Sequence, residues 1–335
     1  MPEQPLNVSQ FRIRLLAWYD RYQRSLPWRR TSAPYKIWVS EIMLQQTRVA
    51  VVIERYREFL RRFPSLRSLA TSRESEVLAA WSGLGYYRRA RSLRSAARVV
   101  VKEHKGRVPS QLEQLKALPG IGDYTAAAIA SIAFGKPHAV VDGNVRRVLA
   151  RITGKPVSAG SAWKQAQALL SPGRPGDFNQ AMMELGATVC LPAPKCDACP
   201  VRALCPSKGS RARATREKQA RRVSLRMLLP VRRKSVYLVR RPSSAGIMPL
   251  MWELPAAKKI SGETIFSLKH SITTTNYSIQ VRLAKEAPAA SRGRWIARDR
   301  LAELPLTGLA RKILRRAGFL ENQSLKRNFR NAGTR

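Results

Sequence analysis

LPGIGDYTAAAIA, residues 118–130, has the form of a helical hairpin. One helix ends in a tight Pro-Gly-x-Gly turn, and the alanine-rich run after Asp123 begins a second helix. Gly120 and Gly122 let the turn backbone approach a neighbour closely, and the free amides at the next helix start can bind an anion such as a phosphate. Any helical hairpin that turns on glycine reads the same way, so the motif has to be weighed with its surroundings.

Residues 9 to about 205 read as one helical body of short helices, punctuated by Pro27, Pro34, Pro64, Pro109, Pro119, Gly135, Gly143 and Gly154. KGSRARATREKQARR, residues 208–222, carries seven basic residues and no apolar period, which predicts a solvated basic linker. The pattern then changes. SLRMLLPV, SVYLVRR, YSIQVRLA and GRWIA predict strands, and LPLTGLARKILRRAGFL predicts a closing helix. Residues 223–320 thus form a separate small α/β domain, with a disordered basic tail at 321–335.

Charge narrows the function. The 335 residues hold 62 Lys plus Arg against 21 Asp plus Glu, a net +41 spread along the chain, so nucleic acid is the expected partner. No run of about 18 apolar residues exists, and MPEQPLNVSQ lacks the apolar core of a signal peptide, so no membrane partner is expected. Cys190, Cys196, Cys199 and Cys205 all lie within CLPAPKCDACPVRALC. That clustering points to metal or iron–sulfur ligation in a reducing, cytoplasmic compartment rather than to disulfides.

Two carboxyls have opposed surroundings. In YKIWVSEIMLQQTRVAVVIERYREFL, Trp38, Ile42, Val49, Ile53, Tyr56 and Leu60 describe one apolar face of one helix, and Glu41, Gln45 and Gln46 interrupt it. Apolar neighbours should raise the pKa of Glu41 and keep it protonated. Asp142, in VVDGNVRRVLARI, precedes a helix beginning near Asn144, where the helix dipole lowers a carboxyl pKa; an ordinary N-cap is the other reading. One carboxyl that donates a proton and another that faces a cation suit acid-assisted cleavage of a glycosidic bond.

Taken together, SEIMLQQT, WSGLGYYRRARSL, LPGIGDYTA, VVDGNVRRVLARI, FNQAMMELGATVC and the four cysteines closely resemble the MutY-type adenine DNA glycosylases of the endonuclease III superfamily, over about residues 25–205 and more weakly over 225–315. The resemblance implies a mainly α, helix-hairpin-helix fold. Its six-helix barrel would span 32–139 and its iron–sulfur cluster domain 1–31 with 140–207, followed by a Nudix-like mispair-recognition domain. It implies a monomer that excises adenine paired with 8-oxoguanine or guanine in double-stranded DNA. Glu41 matches the acid that protonates adenine, Asp142 the carboxylate facing the deoxyribosyl cation, and Asn144 its supporter. Trp28, Arg29 and Gln180 match the adenine pocket. Gln46 matches a wedge beside the mispair, with Thr47 next to it, and Tyr86 the residue that intercalates next to the oxidised guanine.

Tyr124 stands where lyase-competent relatives carry a Schiff-base lysine, and a phenol cannot form that imine, so the resemblance implies a monofunctional glycosylase. The cysteines follow C-x5-C-x2-C-x5-C, one residue short of the family's first spacing; a [4Fe–4S] cluster is expected, with structural zinc as the alternative. LMWELPA and GRWIARDRLAELPL carry the Nudix-like resemblance, but no Glu-rich metal-binding helix follows LMWELPA, so nucleotide hydrolysis is not expected. The family's F-S-H loop, which reads 8-oxoguanine, is matched to Leu268, Lys269 and His270, where only His270 agrees; this predicts a weaker preference for 8-oxoguanine over guanine. Other readings of the chain are a glycosylase for another base, such as thymine or an oxidised pyrimidine, and a non-catalytic mispair-binding protein.

Overall fold

Short helices broken by proline and glycine fill the chain up to the cysteine cluster in the computed structural model, which describes residues 6–208, 221–256, 264–272, 275–288 and 292–320. They are α1 (Val8–Tyr22), α2 (Pro34–Leu44), α3 (Val49–Arg62), α4 (Leu66–Thr71), α5 (Glu74–Ala80), α6 (Arg88–Glu103), α7 (Leu112–Lys116), α8 (Asp123–Phe134), α9 (Gly143–Ile152), α10 (Ala159–Leu169) and α11 (Pro175–Thr188). None among the described residues is long and apolar enough to cross a membrane. The chain divides into two compact units, Met1–Thr71 with Ser92–Thr215, and Ser72–Arg91 with Arg216–Arg335.

In the first unit local chemistry sets the helix ends. The Asn7 side chain caps α1 by accepting from the Gln10 N–H, Pro34 and Pro175 open α2 and α11, and Gly135 closes α8 in the left-handed region. α1, α9, α10 and α11 share a core of Phe11, Leu15, Val148, Leu149, Phe178 and Leu185. α2 packs on α8.

The single helix predicted across residues 35–60 is in fact two. Gln45 ends α2, Gln46 takes φ 53°, and α3 starts at Val49. The one shared apolar face does not exist either: Ile37 to Met43 are all buried, while α3 buries Val52, Tyr56 and Phe59 and leaves Ile53 and Leu60 half-exposed. A left-handed residue resets the helical phase, which a periodicity count cannot register.

The second unit holds a mixed sheet of β1 (Arg221–Arg232), β2 (Ser235–Arg240), β3 (Trp252–Glu253), β4 (Thr264–Ile272), β5 (Thr275–Ala284) and β6 (Gly293–Ala297), and the helix α12 (Gly308–Arg316). Strand order is β3-β2-β1-β5-β4, with β6 also pairing β2; β1 and β5 run parallel from Arg221↔Thr275 to Pro230↔Ala284. Met227, Leu229, Leu238, Ile279 and Val281 face Leu309, Ile313 and Leu314 of α12. The fold is therefore mainly α with a C-terminal α/β domain, as predicted. Arg221 and Arg222 already belong to β1, so the predicted linker is shorter than 208–222; its residues 209–220 and the tail at 321–335 lie outside the described residues.

Candidate active site

Glu41, in the last turn of α2, is only 4% exposed. Tyr124, in the first turn of α8, donates its hydroxyl to Glu41 Oε2 at 3.1 Å and lies 3.2 Å from Met183 Sδ of α11. Burial pushes Glu41 up to about 7; the Tyr124 hydrogen bond opposes this, the charge of Asp142 adds to it and that of Arg29 opposes it. Burial also holds the Tyr124 phenol well above its usual range. Gln45 Nε2 donates to Thr125 Oγ1 at 3.1 Å and so ties the end of α2 to the start of α8.

Asp142 is the N-cap of α9, and its two oxygens are both engaged. Oδ1 accepts from the Val145 N–H at 2.7 Å and Oδ2 from the Asn144 amide at 3.1 Å. The N-cap reading is the one the structure shows, and the cap bond also fixes the carboxylate. Asn144 is held in turn by Arg147, which donates to Asn144 Oδ1 at 2.9 Å, Gly186 O at 2.7 Å and Cys190 O at 2.8 Å. Gly186 is required for this packing: a Cβ there would lie 2.7 Å from Asn144 Cβ. The segment of chain leading to Asp142 is held by the buried Asn179 of α11, which donates to His138 O and Ser131 Oγ and accepts from the Val140 N–H.

Of the predicted pocket residues, Trp28 is buried edge-on against Tyr56, with ring centroids 5.6 Å apart. Arg29 donates to Glu184 Oε2 at 2.8 Å and to Arg24 O at 3.1 Å, with its guanidinium over the Tyr19 ring. Arg24 grips the same carboxylate with two bonds of 2.7 Å. Burial alone would raise Glu184, but the bonds from Arg24 and Arg29 bring it down to about 2. Gln180 is half-buried one turn before Glu184 on the same face of α11. Sequence reading missed Arg24 and Glu184; the one available signal was a carboxylate between Met183 and Leu185 on an apolar helix.

Gln46 is exposed at its left-handed position in the α2–α3 break, and the Thr47 hydroxyl donates to Gln45 O. In the hairpin, Gly120 has φ 79° and a Cβ there would strike Ser92 Cβ at 2.4 Å, whereas Gly122 caps α8 facing open space. Only Gly120 is thus needed for internal packing, and Gly122 leaves room for an incoming group.

The chain matches the HhH-GPD superfamily of base excision DNA repair proteins over residues 39–169. It is 50% identical over 214 residues to the human adenine DNA glycosylase, a match covering 59% of this chain and 39% of that one. The Arabidopsis thaliana adenine DNA glycosylase is 45% identical over 231 residues, 59% of this chain and 36% of its own length. A solved thermostable thymine-DNA glycosylase is 33% identical, with a TM-score of 0.57, over 60% of this chain and 96% of that one. The chain belongs to the HhH-GPD superfamily. Endonuclease III in a trapped covalent intermediate with DNA is 22% identical at a TM-score of 0.53 and shares the fold. The matched region spans well under two thirds of the human and Arabidopsis proteins.

In this HhH-GPD chain the four cysteines line a single cavity walled by Val148, Leu185, Val189 and Val201. Among the described residues, no three His, Cys, Asp or Glu side chains are grouped to hold a metal ion. Burial pushes Cys199 up to about 11, and the neighbouring Cys190, Cys205 and Cys196 add to the rise. Arg151 donates to Leu191 O, Pro192 O and Cys190 Sγ and so fastens the short LPAPK loop.

The second unit carries Tyr86 and the predicted mispair reader. Tyr86 is 46% exposed with φ 46°. Leu268-Lys269-His270 is no loop: it lies within β4, paired to β5. Strand alternation sends Leu268 into the core, Lys269 to the exposed face and His270 back toward Gly308, so Lys269 and His270 lie on opposite faces of β4. Burial and the nearby Lys312 lower the pKa of His270. Ser267 shares the exposed face with Lys269. Lys312 and Arg316 donate to Lys269 O and Ser267 O, and Arg316 lies over the Phe266 ring.

Proposed function

We propose that this chain is a monofunctional adenine DNA glycosylase acting on adenine opposite 8-oxoguanine or guanine in double-stranded DNA. The observation that carries the reading is a buried glutamic acid, Glu41, whose pKa of about 7 leaves it substantially protonated at neutral pH near the fixed carboxylate of Asp142. The adenine nucleotide turns out of the duplex. Glu41 gives its proton to a ring nitrogen, the glycosidic bond breaks with its electrons leaving on the base, and positive charge develops on the sugar opposite Asp142. Water adds hydroxide to the sugar carbon and returns its proton to Glu41, leaving an abasic site and free adenine.

Several features support the details. A phenol at position 124 offers no amine for an imine, which favours glycosylase without lyase chemistry. Trp28, Arg29 and Gln180 receive the base, with Arg29 oriented by Glu184. Gln46, Thr47 and Tyr86 enter or border the mispair, and the amides around Gly122 hold backbone phosphate. The four cysteines hold a [4Fe–4S] cluster, since all four line one cavity within sixteen residues of sequence. Bound there, the cluster supplies structural support and takes no part in bond cleavage. The protein acts as a monomer, and its +41 charge provides sequence-independent affinity for the duplex.

The test is incubation with duplexes containing A opposite 8-oxoguanine, A opposite G, T opposite G, and a matched control, followed by alkali to reveal abasic sites. Cleavage only of the two adenine mispairs is expected. Cleavage at T opposite G would move the reading toward thymine excision, and tight mispair binding without cleavage would make the chain a binding protein.

A further inference from the structure

The turn that carries Tyr86 is anchored from two sides. On its own segment, the Trp81 indole donates to Gly85 O at 3.2 Å, and Arg89 donates to Leu84 O at 3.0 Å and Gly85 O at 3.1 Å. The Arg89 guanidinium carbon lies 5.5 Å from the centroids of both the Trp81 and the Tyr86 rings. From the C-terminal segment of the same unit, Leu306 O accepts from the Ser82 and Tyr87 hydroxyls, each at 3.3 Å, and Arg311 Nε donates to Ser82 Oγ at 2.7 Å. Leu306 is itself fixed, because Trp252 N–H donates to Pro305 O and Thr307 N–H to Trp252 O, both at 2.9 Å. Arg91 adds a bond of 2.6 Å to Pro249 O.

This much fastening has a physical purpose at a residue of this kind. Gly85 and Tyr86 both take positive φ, 68° and 46°, and a residue with a Cβ keeps such a backbone only where its surroundings impose it. The flanking Ser82 and Tyr87 are buried while the Tyr86 ring is exposed. An exposed aromatic on an immobilised backbone loses little freedom when it stacks on a base, and that preorganisation is gained before DNA arrives.

We propose that the C-terminal domain acts on the mispair through this clasp: Arg311, Ser82 and Tyr87 are positioning residues for Tyr86, and through it they set the discrimination between bases opposite adenine. The inference rests on the glycosylase reading above. It assigns the C-terminal domain a route to the mispair through the Tyr86 turn.

The full-length chain tests it with two variants, Arg311→Ala, at a half-exposed site, and Tyr87→Phe, which removes only a hydroxyl. Hydrogen exchange of the peptide spanning residues 81–91 in the free protein should quicken, and the ratio of single-turnover rates on A opposite 8-oxoguanine and A opposite G should fall, each by about five-fold, the change one hydrogen bond of ordinary net strength produces. Affinity for undamaged duplex should not move. In a Tyr86→Ala background the same variants should cause no further fall in the ratio. Unchanged exchange, or an undiminished effect on the ratio once Tyr86 is gone, overturns the proposal. A wild-type chain that cleaves neither mispair overturns the functional reading and the discrimination with it, while the exchange result still decides whether the clasp holds the turn.

Discussion

Replacing Glu41 by glutamine should abolish chemistry and at the same time stabilise the protein, with a pH dependence set by burial. Glu41 is raised from 4.5 to about 7, mainly by desolvation. Between those values the folded state binds a proton that the unfolded state has released, so stability falls as pH rises through the window and is level above it. At 1.36 kcal/mol per pH unit the full loss is about 3 kcal/mol above pH 7, shrinking to under about 1 kcal/mol at pH 5. Glutamine never ionises and still offers an oxygen to the Tyr124 hydroxyl. Glu41→Gln should therefore raise the urea-unfolding midpoint clearly at pH 8 and barely at pH 5. Single-turnover cleavage should drop by at least about two orders of magnitude, the scale of a positioned acid, while wild-type cleavage declines as pH rises past about 7. A variant that is less stable by the same amount at both pH values would show that Glu41 carries no burial penalty. Undiminished cleavage would remove it from the mechanism.

Gly186→Ala, which drives a Cβ to 2.7 Å from Asn144 Cβ, should cost about 1–3 kcal/mol in overpacking and slow cleavage by misplacing the partner of Asp142; circular-dichroism melts and single-turnover assays check both. Tyr124→Phe removes a hydrogen bond that lowers the Glu41 pKa, so the alkaline decline in rate should shift to higher pH, and neither it nor the wild type should give a borohydride-trapped DNA adduct. Anaerobically purified protein should be yellow-brown with about four irons per chain, and colourless protein carrying zinc would reject the cluster assignment.

How much of this could be read from the sequence depended on whether a feature is local. The hairpin at 118–122, the cap at Asp142 and the strands β1, β2, β5 and β6 announce themselves within a few residues, and the structure keeps them. β4 was also legible: Phe266, Leu268 and His270 alternate with Ser267, Lys269 and Ser271, but matching the stretch to a family loop hid the period of two. Gln46 was not, because its left-handed backbone carries none of the glycine or asparagine that usually marks one. The buried group around Glu184 joins residues 155 and 160 positions apart, and Ser82 meets Leu306 across 224. No pattern along the chain can pair such residues. What the sequence does give is their anomaly: a carboxylate inside the apolar α11, a serine between Trp81 and Gly83, an arginine on a helix with basic residues to spare. Each looks dispensable alone and becomes meaningful only when folding supplies its partner. Here the partners hold Arg29 and Tyr86, so the residues sequence reading passed over are those that aim the ones it found.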